Sequence, residues 1–212
     1  MSEKATNTIN LAAFATRELP NDVLSIYFSA SASGTDPNAV QEELRKKLAD
    51  ALAIIRPVLK EGEVETETQG FSVSPRYDKK SQITGYYGQT ALTVKGTDTA
   101  TISEFAAKIK TMVVSGTGNS LSKKLRKSVE SDLIAEAIST FKDKADATVK
   151  AFGLEKWDVG AVNVQVDRDY GRGGGARVMA ASAMALESAT DLEVESGKTE
   201  VNASVSGTIN VK

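Results

Sequence analysis

The chain has 212 residues, of which 41% are hydrophobic and 25% are charged, a balance that is typical of a folded globular protein and not of a disordered one. Its 26 Lys and Arg residues nearly cancel its 28 Asp and Glu residues and are interspersed with them, which disfavours nucleic-acid binding. Because the sequence contains neither His nor Cys, a Ser-His-Asp triad, a thiolate nucleophile, a disulfide bond and imidazole or thiolate metal sites are excluded.

The N-terminal residues, Met1-Ser-Glu-Lys-Ala-Thr-Asn7, are polar and lack the basic, apolar and cleavage regions of a signal peptide. No apolar run approaches the roughly 18 residues of a membrane span. We therefore expect no transmembrane segment. We also expect either a cytoplasmic protein or an exported one whose signal has been removed.

Two segments of alternating hydrophobicity come first. Residues 6–17 and 23–33 alternate apolar with small or polar residues, and Leu19-Pro-Asn-Asp22 between them is rich in turn-forming residues. Two period-2 runs joined by a polar turn predict an antiparallel hairpin.

A helix is predicted to follow at Asp36-Pro37, because Asp caps free amides and Pro suits the first helical position. Pro57 should kink or end this helix. Its apolar stripe, at spacings of four and three, consists of Val40, Leu44, Leu48, Leu52 and Ile55.

The next segments predict two strands and a second helix. Val64-Glu-Thr-Glu-Thr68 opens the first strand with guarding acidic residues, and residues 71–94 continue from it as two strands joined by a polar turn. Asp98 is a candidate cap for the helix. The apolar face of this helix comprises Ile102, Phe105, Ala106, Ile109 and Met112.

Residues 115–119 read as a loop, and Leu121 to Val129 is ambiguous, because apolar residues four apart suit either a helix face or a strand. Ser131 is the predicted cap of the longest helix, and Gly153 is its predicted C-terminal cap. The stripe of this helix consists of Ile134, Ala137, Ile138, Phe141, Ala145, Val149 and Phe152.

Residues 159–166 and 199–211 are predicted strands, because they alternate and are rich in β-branched residues. Between them lies a Gly-, Ala- and Met-containing excursion, residues 167–197. The element order is therefore β-β-α-β-β-α-β-α-β-loop-β. This order predicts an α+β fold with a mainly antiparallel sheet or sheets packed with about three helices.

Several short motifs in this order resemble those of one family, the SIMPL domain. They are Ser74-Pro-Arg-Tyr-Asp78 with Ile83-Thr-Gly-Tyr86, the helix with Ala135-Glu-Ala137 and Ala151-Phe-Gly153, the Met179-Ala-Ala-Ser-Ala-Met184 region, and the closing Val201-Asn-Ala-Ser-Val205. The resemblance covers nearly the whole chain, so we expect one domain, residues 1–212, with room for two lobes. It also favours a strand for residues 121–129. The family-motif residues, with a structural or interaction role, are Pro75, Tyr77, Asp78, Gly85 and Tyr86.

The resemblance implies a periplasmic or envelope-associated protein that forms a homo-oligomer, which could be ring-like. It further implies links to stress responses but no defined substrate, and it supplies no catalytic residues. An export signal, usual in the family, is missing from this sequence.

Two motifs resemble cofactor or metal sites. Gly171-Arg-Gly-Gly-Gly-Ala176, with Glu193 beyond it, formally satisfies a dinucleotide-binding pattern, but too little chain follows for the required βαβ units. Asp167-Arg-Asp169 could begin a hard-cation site but lacks further acidic partners at loop spacing. We therefore interpret the first as a surface loop and the second as a solvated strand end, and predict no cofactor and no metal.

Three other groups could form binding surfaces. The densest basic cluster could meet phosphate or anionic lipid, and a solvated face or a contact with acidic strands of a neighbouring subunit is favoured; its members are Lys123, Lys124, Arg126 and Lys127. Tyr77, Tyr86 and Tyr87 suit packing or subunit contact better than a polar binding patch. Met179 and Met184 suit either an adaptable surface or a disordered loop.

The leading functional hypothesis is a non-enzymatic protein that self-assembles through exposed sheet edges and the region from Gly171 to Ala189. It rests on the expectation that a small sheet leaves the long terminal strands partly unpaired. One alternative is a module that binds a peptide or envelope component by strand addition, and another is a metal-dependent hydrolase. Envelope proteins, lipid surfaces and the chain itself are the expected partners, and nucleic acid is not.

Overall fold

The computed structural model describes residues 7–166 and 196–212. Within them the fold is α+β, with three helices and two antiparallel sheets in the predicted order. The elements are β1 (Asn7–Pro20), β2 (Val23–Gly34), α1 (Pro37–Ile55), β3 (Glu65–Tyr77), β4 (Ile83–Gly96), α2 (Thr99–Lys108), β5 (Val113–Ser120), α3 (Lys123–Ala151), β6 (Trp157–Val166) and β7 (Lys198–Val211). The motifs at Asp167–Asp169 and Gly171–Ala176, together with Met179 and Met184, lie outside the described residues.

The chain divides into two compact units. Among the described residues, the first unit holds 7–20, 123–166 and 198–212, and the second unit holds 21–122 and 196–197. No helix of the described part is both long enough and apolar enough to cross a membrane.

The first unit is a three-stranded sheet with the order β1-β7-β6 and with α3 on one face. β1 and β7 pair along their whole length, from Asn7 opposite Val211 to Pro20 opposite Lys198. The buried core between sheet and helix consists of Ala13, Ala15, Val201, Ala203, Val205 and Ile209 from the sheet and Leu133, Ala137, Phe141, Ala145 and Val149 from α3. The small alanines let the helix approach the sheet closely.

The predicted hairpin of the first two strands is wrong, since β1 belongs to the sheet of the first unit and β2 to that of the second. The polar residues between them do not form a hairpin turn. The Asn21 amide donates to the Gly197 carbonyl, and the Asp22 carboxylate accepts hydrogen bonds of 2.6 Å from the amide and hydroxyl of Ser122. Turn-forming residues marked the break between the strands but not the partner of each strand.

The second unit is a four-stranded sheet with the order β3-β4-β2-β5, and α1 and α2 cover one face. Asp36 caps α1 through the amide of Asn38, and Asp98 caps α2 through the amide of Thr101, as predicted. α1 ends at Ile55, just before Pro57. The core includes Leu24, Ile26 and Phe28 of β2, Leu92 and Val94 of β4, Ala51 and Ile55 of α1, and Ile102 and Ala106 of α2.

The strand that the resemblance favoured for residues 121–129 is wrong. α3 begins at Lys123, and residues 115–119, predicted as a loop, belong to β5. Ser131 therefore lies inside the helix and does not cap it. The ambiguous apolar residues extend the buried stripe of α3 backwards in steps of four: Leu125, Val129, Leu133, Ala137, Phe141, Ala145 and Val149. This continuous stripe packs on one face of a sheet, so the helix gains more burial than a short strand would.

The C-terminal end of α3 follows the prediction. Gly153 has φ 71°, and its amide donates to the Lys150 carbonyl at 3.0 Å. The amide of Leu154 donates to the Val149 carbonyl at 3.0 Å, which completes the expected left-handed cap.

Candidate interaction surfaces

β6 forms an edge of the sheet in the first unit and carries an exposed apolar strip. Val159, Val162 and Val164 are 56%, 42% and 41% exposed. They lie opposite Ile209, Gly207 and Val205 of β7, and therefore on the side of the sheet that α3 covers. Because α3 packs mainly over β1 and β7, the described residues leave much of the apolar surface of β6 on this side of the sheet uncovered.

The sequence of β6 does not protect this edge. From Val159 to Val166 the strand has no charged residue and no proline. A bulge lies between Val159 and Val162, but residues 162–166 continue in regular register with β7. Edge strands usually avoid pairing with other chains by means of Lys, Pro, inward charges or coverage. Within residues 7–166 and 196–212, β6 therefore has an unpaired, apolar edge to which another strand can add.

The opposite edge of the same sheet is protected. On β1, the Arg17 guanidinium lies 3.3 Å from the Glu136 carboxylate and 3.9 Å from that of Asp132, both on α3. The Lys144 ammonium, also on α3, donates to the backbone carbonyl of Ala12 at 2.9 Å. Side chains of α3 thus reach over β1. On β6, Asp146 of α3 accepts a hydrogen bond of 2.7 Å from the indole N–H of Trp157, before the segment 159–166.

At one edge of the sheet in the second unit, β3 carries charges. Glu65 and Glu67 lie on it, and Lys95 of β4 pairs with Glu67 at 3.2 Å. A side-chain hydrogen bond from Gln69 and the adjacent Lys95 ammonium lower the pKa of Glu67 below its ordinary value, so its charge persists. β3 also has two register shifts and contains Pro75, which further protect this edge.

β5, at the other edge of the second unit, is uncharged but short. Val113 and Val114 are 71% and 52% exposed, and a register shift interrupts the pairing of β5 with β2. Its two glycines lie under the ring of Tyr27, whose nearest atoms are within 3.7 Å of the positions that their Cβ atoms would take. β5 is thus a second open edge, but one weakened by its bulge and its glycines.

Asp78 of the family motif organises the turn between β3 and β4. Its carboxylate accepts hydrogen bonds from the amides of Lys80 at 2.8 Å and Gln82 at 2.9 Å, while its own amide donates to the Gln82 carbonyl. Ser81 adopts a left-handed conformation with φ 59°. The geometry gives Asp78 a turn-forming role.

The other motif residues do not converge on one site. Tyr86 packs against Ala32, Val40 and Leu44 on the helix side of the sheet, and Pro75 pairs with Tyr86 across the strands. A Cβ atom on Gly85 would lie 2.8 Å from the Gly34 carbonyl oxygen, so only glycine fits there.

The motif tyrosines likewise form no common patch. Tyr77 is 61% exposed near the turn. Tyr87, next to Tyr86 on the same strand, projects from the face opposite to the helices. The three tyrosines Tyr77, Tyr86 and Tyr87 therefore lie in different environments.

The basic cluster lies in the first two turns of α3, where Lys123, Lys124 and Lys127 are exposed. Among the described residues, no group of three or more carboxylates is arranged to hold a metal ion. The surface of the described part has shallow depressions, one of about 410 Å³ beside the β6 bulge and one of about 400 Å³ next to Leu59.

The model of the SIMPL family, described as "Protein of unknown function (DUF541)", matches residues 9–209, nearly the whole chain. The chain belongs to the SIMPL family. The resemblance seen in the sequence is thus confirmed, although the family description assigns no activity. No curated protein matches this SIMPL chain.

Sequence reasoning missed the open edge of β6. The missing charge between residues 159 and 166 was visible in the sequence, but their place at a sheet edge was not. The expectation that the terminal strands would be partly unpaired was wrong for β7, which is the central strand of its sheet. β1 pairs with β7 over fourteen residues and lies at an edge.

Proposed function

We propose that this SIMPL protein is non-enzymatic and assembles into a homo-oligomer through the edge of β6. One observation carries the proposal: residues 159–166 form an uncharged edge strand with three exposed valines, while the other edge of the same sheet is covered by α3. When another strand is added, the unpaired backbone groups of the edge form hydrogen bonds and the uncovered apolar side chains are removed from water.

The partner strand in this proposal is β6 of a second copy, in antiparallel orientation. Such pairing joins two three-stranded sheets into one and brings the valines of both copies together on the α3 side. The contact is two-fold symmetric, because each copy offers the same strand. Asn163 and Gln165 project from the other face, so no charge is buried.

Light scattering coupled to size-exclusion chromatography tests the assembly. The wild-type chain should show a multiple of its 22.5 kDa at micromolar concentration. Val164→Lys should shift the mass to that of the monomer, because a lysine ammonium would then lie inside the strand contact. The single chain should tolerate the change, since the site is 41% exposed and a lysine can reach water.

Val113→Lys is the matched control, as it adds the same charge to an exposed valine on β5. This variant should keep the wild-type mass. A monomeric wild-type protein, or an equal loss of assembly in both variants, would contradict the proposal.

We further propose that the protein acts in the bacterial envelope, where a stress-related role would be consistent with the resemblance. Fractionation of cells that express the natural reading frame, followed by immunoblotting, should detect the chain in the periplasmic or membrane fraction. A purely cytoplasmic signal would refute this location.

The second candidate function is strand addition of a peptide to β5, which the exposure of Val113 and Val114 favours. Hydrogen exchange separates the two functions. Self-assembly should protect the amides of residues 162–166 more at higher protein concentration, with no ligand added. A bound peptide should instead protect amides of residues 113–120.

A further inference from the structure

The face of the first unit's sheet that lies opposite α3 is polar and nearly uncharged at its centre. Phe14 of β1, Ser204 of β7 and Gln165 of β6 form one row across the three strands, and Ala12, Ser206 and Asn163 form the next. Thr8, Asn10 and Thr16 of β1 and Asn202, Thr208 and Asn210 of β7 extend the same face. Hydroxyl and amide groups dominate this surface.

The rows have the shape of a trough. Ser204 and Ser206, with short side chains, form a floor along the central strand β7. Phe14 stands on one side, 63% exposed, and the amides of Asn163 and Gln165 stand on the other. Two strand spacings separate the sides, about 10 Å between backbones. A depression of about 410 Å³ lies beside the β6 bulge, where Asn10, Asn163 and Ser206 of this face line it together with residues of the bulge and of the α3 side: Ala161, Leu11, Val162 and Gly207.

Several side-chain amides in the trough form no hydrogen bond with other described residues. Among the described residues, the side chains of Asn10, Asn163 and Gln165 take part in no hydrogen bond, whereas Ser204 donates to the Gln165 carbonyl and Thr208 accepts from the Ala161 amide. Each free amide has both donors and an acceptor. They can therefore bind a ligand without first breaking an internal bond.

Charges on this face lie at its two ends, where two ion pairs and the exposed carboxylate of Glu200, opposite Glu18, are found. Lys198 lies 3.3 Å from Glu18 at one end, and Lys212 pairs with Asp158 at the other. Between these pairs, the described residues of the face are neutral. A neutral ligand rich in hydroxyl groups matches this centre. Such a ligand needs no counter-charge from the protein, and its binding does not desolvate a charged group.

We propose that this trough binds a neutral oligosaccharide. The ring of Phe14 would stack against the apolar face of one sugar, while the amides of Asn163 and Gln165 would exchange hydrogen bonds with its hydroxyls. A protein partner fits less well, because interface centres are enriched in aromatic residues, Met and Arg and depleted in Ser. The proposal is independent of the β6 edge contact, which uses the edge and the opposite face.

Isothermal titration calorimetry of the full chain with chitotetraose, cellotetraose and maltotetraose tests the site. At least one of these neutral tetrasaccharides should bind saturably. Phe14→Ala should weaken that binding at least about tenfold, because the variant removes the only ring in the two central rows of the trough. Asn163→Ala or Gln165→Ala should weaken it severalfold, because each removes one hydrogen-bonding amide.

Phe152→Ala is the matched control, since Phe152 is a 70% exposed phenylalanine of the same unit outside the trough. It should bind like the wild type, as should the assembly-deficient Val164→Lys. Saturable binding of none of the three sugars would overturn the proposal. So would an equal loss in Phe14→Ala and Phe152→Ala. If Val164→Lys became monomeric but kept its affinity, the sugar site would stand apart from assembly.

Discussion

Thr90 of β4 is a buried polar residue in the helix-facing layer of the second unit. Its hydroxyl has no hydrogen-bond partner, although the residue is only 2% exposed. Thr90→Val removes this unsatisfied group at nearly constant volume and should raise the free energy of unfolding by about 1 kcal/mol.

Denaturant unfolding measures this effect, and Thr111→Val is its control. The Thr111 hydroxyl donates to the Lys47 carbonyl at 3.0 Å, so that variant should lose stability. If Thr90→Val destabilised the protein as much as Thr111→Val, the hydroxyl of Thr90 would have a partner in solution.

Asp98 makes stability depend on pH. Hydrogen bonds from the side chain and the amide of Thr101 hold its pKa below the ordinary value of 3.8. Since the folded-state pKa is the lower one, the stabilisation is complete above the unfolded-state pKa and is lost as the pH falls through the folded-state pKa. Asp98→Asn retains a helix cap but does not titrate. Its free energy of unfolding should therefore fall less than that of the wild type between about pH 5 and about pH 2.

At the scale of elements, Gly88 determines how closely α1 packs on β4. A Cβ atom there would lie 2.6 Å from Leu44 Cδ1, 3.0 Å from Val40 Cγ1 and 3.1 Å from the backbone carbonyl oxygen of Ser72, and the Leu44 and Val40 side chains are buried. Gly88→Ala should therefore lower the free energy of unfolding by about 1–3 kcal/mol.

Gly116 on β5 is the matched control for this prediction. A Cβ atom at that position meets only the Tyr27 ring, at 3.7 Å, which is an ordinary contact. Gly116→Ala should therefore be neutral or slightly stabilising. Equal losses in the two alanine variants would mean that strand propensity, and not the distance to α1, governs the effect.

At the scale of the whole molecule, the second unit is built almost entirely from one continuous chain segment, whereas the first unit combines segments from both ends of the chain. The described part of the second unit is residues 21–122 with Ser196 and Gly197, and its core is built from 24–112. We expect the fragment 21–122 to fold alone and to unfold cooperatively, as followed by circular dichroism. Its cut removes the two hydrogen bonds that Asn21 makes with residues 196 and 197 but leaves this core intact.

The first unit should not fold when the C-terminal segment is deleted. Deleting residues 198–212 removes β7, the central strand, and leaves β1 and β6 without their sheet partner. We expect this truncation to lose the contribution of the first unit to the dichroism spectrum, while the second unit still unfolds cooperatively. A folded first unit after truncation would contradict the pairing of the chain termini.

The sequence alone determined the class of this protein and most of its local structure. Asp36, Asp98, Pro57 and Gly153 marked helix ends correctly because caps and breaks are local chemistry, and alternation located the strands for the same reason. Only tertiary structure decided which strands pair, since pairing depends on burial against residues distant in sequence. β1 pairs with β7 and not with β2, and residues 123–129 are helical. The open edge of β6 and the polar trough likewise exist only after the sheet is assembled, because the order of the strands determines which strand lies at an edge and which side chains share a face.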